Sequence, residues 1–353
     1  MRILRTVLVL VLAATLAVNA TPQGRAAVRA TIFATQVVRG GAEVPAPSEA
    51  GPAAERVSFP LGAGVGVGDV YKPAGGGRRP GVLLFLGVAP AGADDPRVVN
   101  LGRAFARVGM IAMFYWSPEM AQERITTNDV GNVASAFEYL HSRPDVDPRR
   151  VGMGGFCVGG AFALMAAAEP QIAGEVRYVN SFGAYYDLRS VAVSILSHSQ
   201  TIDGRKEAWA PDALTREVFT GLVLQSLQPG ADTDALAAAI AGGQSLPPEL
   251  ARVAVNNLPP SLLEQMDAAS PKRSIAQVKA KVLLMDDRHD PLMPAAESRS
   301  LADALESQGR DTTYTEFAFF EHMDPTRPVP PTTYAREALK LSRHLYAVMR
   351  AAW

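Results

Sequence analysis

Apolar runs at 81–86 and 110–116, a short one at 151–153, and mostly apolar or strand-like stretches at 176–180, 281–285 and 313–317 recur along this chain. Runs of four to seven apolar residues bounded by turn residues suit strands buried on both faces. Between them the apolar positions step by three and four. Leu101, Phe105 and Val108 follow this spacing, as do Val130, Ala134, Phe137 and Leu140. The spacing predicts helices over 98–108 and 127–141, with others over 297–307 and 334–349. Weaker alternation at 56–60 and 66–71 predicts a strand pair ahead of the first buried strand. Strands alternating with helices of this length define an α/β chain, a mostly parallel sheet with helices on both faces.

Between Asp187 and Ala276 the strand runs vanish. Leu214, Val218 and Leu222 fall on four-residue steps, and short helices are predicted over 235–241, 248–255 and 261–268. The segment 188–275 therefore reads as an all-helical insertion, a cap on a main domain spanning 55–350. Residues 21–54 are rich in Ala, Gly and Pro and read as a leader or linker. Ahead of them, Arg2 and Arg5 precede an apolar run over 7–18, and Val18-Asn19-Ala20 offers small residues for an export peptidase. Residues 1–20 have the form of a signal peptide, which predicts a periplasmic or extracellular protein. If that segment is retained instead, it is a membrane anchor.

The 353 residues carry a net charge of -1, which gives nucleic acid no electrostatic hold. One cysteine forbids an intramolecular disulfide, and five histidines show no metal-ligand spacing. No metal and no cofactor are expected.

The single cysteine lies in Gly155-Phe156-Cys157-Val158-Gly159-Gly160, between the strand run at 151–153 and an Ala-rich helical stretch. Glycines two residues to either side of Cys157 give the spacing of a nucleophile elbow, G-x-S-x-G, with Cys for Ser. A strained turn must lift the nucleophile off the sheet, and glycine tolerates the required backbone angles and close approach. A helix N-terminus at the sulfur favours the thiolate. Taken alone, a lone Cys among apolar residues is as readily a small buried hydrophobe.

The other strand ends supply partners, because functional groups in an open parallel sheet gather at its carboxyl edge. The stretch after 281–285 holds Asp286, Asp287, His289 and Asp290, and the stretch after 313–317 holds His322. Cys, Asp and His then follow one another in the chain order of the α/β-hydrolase triad. Asp290 lies far enough past its strand for a loop to carry it under a histidine. Asp286 and Asp287 are alternative acids, and His289 is the rival base. The oxyanion donors are the backbone N–H of Val158 and one from the loop at Gly87-Val88.

On the Gly155–Gly160 hexapeptide, on Asp290 in Asp290-Pro291-Leu292-Met293-Pro294, and on His322, the chain resembles the dienelactone hydrolase family of α/β-hydrolases. The resemblance covers roughly 56–187 and 276–350. It implies an α/β-hydrolase fold, a Cys157-Asp290-His322 triad, no cofactor, and hydrolysis of esters or lactones of small carboxylic acids. The family places a glutamate just after the first buried strand; here Phe85-Leu86-Gly87-Val88-Ala89-Pro90 contains no acid. The arginines that hold a dienelactone carboxylate have no motif match. Tyr185, Tyr186 and Trp209, at the base of the insertion, are the expected walls of the substrate pocket. Two other readings use the same residues: a non-catalytic binding protein on a hydrolase scaffold, and a peptide or thioester hydrolase with the same triad.

Overall fold

The computed structural model describes residues 20–38, 53–88, 92–226, 231–243, 245–320, 322 and 327–353. Residues 1–19 of the expected signal peptide and 39–52 of the expected leader lie outside them.

The described chain begins with a helix, α1 (Pro22–Val38), then an antiparallel pair, β1 (Ala53–Leu61) and β2 (Gly64–Lys72). The alternating part follows: β3 (Arg79–Phe85), α2 (Pro96–Arg107), β4 (Ile111–Trp116), α3 (Asn128–Ser142), β5 (Val146–Phe156), α4 (Val158–Ala166) and β6 (Tyr178–Phe182). The insertion comprises α5 (Leu188–Ser197), a hairpin of β7 (Ser199–Ile202) and β8 (Arg205–Ala208), then α6 (Ala213–Ser226), α7 (Ala231–Ala241), α8 (Pro248–Asn256) and α9 (Pro260–Ala268). The chain returns through β9 (Lys281–Asp287), α10 (Ala295–Ser307), β10 (Thr312–Phe317) and α11 (Pro331–Ala352).

Eight strands form one sheet in the order β1-β2-β4-β3-β5-β6-β9-β10. Pairing is antiparallel from β1 through β4 and parallel from β4 onward. Successive strand side chains point to opposite faces, and both faces are apolar here. Leu83, Phe85, Met113, Met153 and Val179 pack with α3, α4 and α10, while Val82, Leu84, Phe114 and Tyr178 pack with α1, α2 and α11. The parallel strands from β4 to β10 run toward a common carboxyl edge, and the insertion leaves the sheet from there, after β6. Among the described residues no helix is long and apolar enough to cross a membrane, and no group of His, Cys, Asp and Glu could hold a metal ion.

Two sequence expectations change. Residues 22–38 are a helix built into the fold, where a leader or linker over 21–54 was expected. Pro22 opens it, a position that proline tolerates, and Ala26, Ala30 and Phe33 bury one stripe against α2 and α11. Small side chains there allow close approach of the helices. Gln36 crosses to Asn100 of α2, its Nε2 donating to Oδ1 at 2.6 Å. The insertion is also not all helical. The β7–β8 hairpin turns at Asp203-Gly204, both with positive φ (51° and 73°), as an Asp-Gly hairpin turn requires.

Candidate active site

Cys157 sits between β5 and α4 with φ 52° and ψ -126°, backbone angles that few non-glycine residues adopt. The turn is held by its surroundings. The Cys157 N–H donates to the Phe182 carbonyl of β6 at 2.8 Å, and its carbonyl accepts from the N–H of Gly160 at 3.0 Å. The flanking glycines are required by space. A Cβ at Gly155 would lie 2.4 Å from the Gly159 carbonyl oxygen, and one at Gly159 would lie 2.1 Å from the Phe85 carbonyl oxygen. Gly87, with φ 72°, closes in from the β3 loop; a Cβ there would meet the Gly159 nitrogen at 2.6 Å. This contact brings Gly87-Val88 beside the elbow, the arrangement that two oxyanion donors need.

Asp290 is fully buried on the loop after β9. Its Oδ1 accepts the N–H groups of Leu292 at 2.7 Å and Met293 at 3.2 Å. Its Oδ2 is 2.8 Å from His322 Nδ1. With Nδ1–H donated to this carboxylate, Nε2 is the ring nitrogen left to exchange a proton. His322 itself has φ 57°. Gly183, after β6, also adopts a left-handed conformation, φ 63°; a Cβ there would lie 3.2 Å from Asp290 Oδ2 and 3.9 Å from His322 Cε1. Its bare backbone leaves room for the Asp–His pair, a role sequence reading did not assign.

The other acids do different work. Asp287 staples two loops, its Oδ1 accepting from the His289 N–H at 2.9 Å and its Oδ2 from the Phe320 N–H at 2.8 Å. Asp286 is fully buried and neither carboxylate oxygen has a hydrogen-bond partner among the described residues. Burial, with Asp290 nearby, pushes its carboxyl well above the usual range. His289 is exposed. Asp290, rather than these alternatives, is the acid against His322.

Cys157 and His322 both line a cavity of about 400 Å³ between the sheet edge and the insertion. Val88, Val158 and Tyr185 line it too. Tyr185 is fixed by its hydroxyl, which donates to the Ala269 carbonyl at 2.7 Å. The other two expected wall residues are not among its lining. Tyr186 gives its N–H to Glu297 Oε2 at 3.0 Å, and Trp209 gives its indole N–H to the Asp290 carbonyl at 2.8 Å. Both hold the framework behind the cavity. The walls come instead from apolar faces of α5 and α6 and from Val37 at the end of α1.

The electrostatics correct one expectation. Burial, with the Asp290 charge adding to it, pushes the Cys157 thiol up to about 12; the Val158 N–H acts in the other direction but does not offset them. The direction is opposite to the one expected from the helix N-terminus alone.

Comparison of the sequence with curated proteins gives no match. The dienelactone hydrolase family matches residues 113–198, a stretch that includes β5, the elbow and β6. Among solved structures, the uncomplexed Pyrococcus horikoshii acylaminoacyl peptidase aligns at TM-score 0.53 and 16% identity over 82% of this chain and 41% of its own. A 2,6-dihydroxy-pseudo-oxynicotine hydrolase aligns at TM-score 0.53 and 17% identity over 84% of this chain and 68% of its own. A Pyrobaculum calidifontis esterase aligns at TM-score 0.50 and 18% identity over 92% of each chain. The chain spans about two fifths of the length of the acylaminoacyl peptidases. These likenesses and the sheet order place the chain in the α/β-hydrolase fold, with the dienelactone hydrolase family matched over residues 113–198.

Proposed function

We propose that the protein is an exported hydrolase that cleaves carboxylic esters or lactones, with Cys157 as nucleophile, His322 as base and Asp290 as its orienting acid. The observation that carries this reading is the 2.8 Å bond between buried Asp290 and His322, beside a cavity that the strained Cys157 elbow also lines. His322 Nε2 takes the thiol proton as sulfur attacks the ester carbonyl. The carbonyl electrons move to oxygen, where the N–H groups of Val158 and Val88 receive the charge. Collapse of this intermediate breaks the bond to the alcohol oxygen, which leaves with the proton from His322. A thioester on Cys157 remains. Water, deprotonated by His322, attacks the thioester, breaks the C–S bond and releases the acid. Asp290 holds the imidazole in the tautomer that both steps use.

Turnover of p-nitrophenyl acetate by the purified protein, lost in Cys157→Ala, tests the reading. A wild-type protein inert toward acetate and longer acyl esters alike would favour a binding protein on this scaffold.

A further inference from the structure

We infer that the substrate of this site carries a large, uncharged, apolar acyl group, and not the carboxylate-bearing lactone that the family resemblance implies; the inference rests on the ester-hydrolase reading above. Two observations carry it. First, the cavity beside Cys157 holds about 400 Å³ and is walled by Val191 and Ile195 of α5 and Phe219 and Leu222 of α6. A space of this size is far larger than an acetyl group needs, and its apolar lining rewards buried hydrocarbon.

Second, the fixed charges among the described lining residues cancel. They are Asp95 and Arg97. Arg97 Nη2 meets Asp95 Oδ2 at 2.7 Å, and Arg97 Nε lies 3.2 Å from both oxygens. Asp95 is further engaged by the Arg97 N–H at 2.8 Å. The Asp95 carboxylate occupies Arg97 Nε and Nη2 and neutralises the guanidinium, so the pair brings no net positive charge to the cavity. A substrate carboxylate would lose hydration on entry without gaining an uncompensated cation. An apolar chain has nothing to lose there.

The acyl part is the part that must fit. After the alcohol leaves, the acyl group stays on sulfur through the second step and has to be held under the insertion while water attacks.

The test is a p-nitrophenyl ester series: acetate, butyrate, octanoate and decanoate, with the mono-ester of suberic acid as the charged counterpart of octanoate. Each methylene buried is expected to raise kcat/KM about fourfold until the cavity is full. The suberate mono-ester should fall at least about tenfold below octanoate. Val191→Trp should lower the ratio of decanoate to acetate, and Phe219→Ala should raise it, with the melting temperature reporting whether each variant folds. A second readout does not need the chemistry: Cys157→Ala should bind decan-2-one in calorimetry. A flat or falling chain-length series, a preference for suberate, or no binding of the ketone overturns the inference. Acetate cleavage together with those results would leave the hydrolase reading standing. Ketone binding with no ester cleaved at any length would sink the hydrolase reading instead, and with it the assignment of the chain as an acyl group.

Discussion

The Trp209 indole N–H donates to the backbone carbonyl of Asp290 at 2.8 Å, so the hairpin side of the insertion bears directly on the acid behind His322. Trp209 is buried and does not line the cavity beside Cys157. Replacing it by Phe keeps most of the packing and removes the donor. One such hydrogen bond is worth about 0.5–1.5 kcal/mol. Trp209→Phe should therefore lower kcat about three- to tenfold with KM little changed. A rise in KM at constant kcat would show that the ring contacts substrate after all.

Resting Cys157 should be a poor nucleophile toward small reagents. With its thiol pushed up to about 12, the thiolate fraction at neutral pH is lower than that of free cysteine. Iodoacetamide should alkylate it more slowly than free cysteine at pH 7, and faster as the pH rises. Rapid alkylation at pH 6, lost in His322→Ala, would instead reveal a preformed thiolate–imidazolium pair.

Glu297 of α10 ties down the start of the insertion. It accepts the N–H groups of Tyr186 at 3.0 Å and Asp187 at 2.9 Å, and meets the Ser190 hydroxyl. Burial nevertheless raises its carboxyl from 4.5 to about 7. A folded-state value above the unfolded one means that the folded protein binds the extra proton. Stability from this group is therefore lost as pH rises from about 4.5 to about 7. Glu297→Gln keeps an acceptor without the charge and should flatten the denaturant midpoint across that window. An unchanged slope would rule this out.

His344 works in the opposite sense. It is buried between Thr315 and Asn180, with Nδ1 at 2.9 Å from Thr315 Oγ1 and Nε2 at 2.8 Å from Asn180 Oδ1. Burial lowers it from 6.5 to about 4, so the folded state keeps it neutral. The unfolded chain takes up the proton first, and stability falls as pH drops from 6.5 toward 4. His344→Gln should remove that loss while costing some stability at every pH, as read from urea midpoints at pH 4.5 and 7.5.

Export predicts a mature N-terminus at Thr21, directly ahead of α1, which begins at Pro22. Mass spectrometry of the protein from its native host should show the loss of residues 1–20. An intact Met1 in the membrane fraction would identify an anchor.

The sheet was legible because its central strands are buried on both faces and read as apolar runs. The elbow was legible because Gly155 and Gly159 are demanded by backbone contacts that nothing larger fits. Asp290 was chosen over Asp286 and Asp287 from its distance past the strand and its Asp290-Pro291-Leu292-Met293-Pro294 setting, and it is the one that contacts His322. Three things were hidden. The α1 stripe of Ala26 and Ala30 acquires meaning only against α2 and α11, which lie far off in sequence. The walls of the cavity depend on which way each insertion helix rolls, so Trp209 and Tyr186 were expected there, while Phe219 went unnamed and Leu222 was read only as part of a helical stripe. The Asp203-Gly204 turn was a readable hairpin signal, but four-residue strands of mixed polarity do not stand out from helical surroundings.

Helix α1 lies against α11 and also lends Val37 to the cavity. During synthesis the chain emerges from its N-terminus, so α2 reaches this helix early, while α11 (Pro331–Ala352) arrives much later. Its docking is among the most sequence-distant contacts in the molecule, a kind that forms slowly. A nascent or C-terminally clipped chain could assemble the elbow and still leave one corner of the binding chamber unwalled. Maturation of the binding chamber is in this sense tied to the late arrival of α11, through where α1 docks.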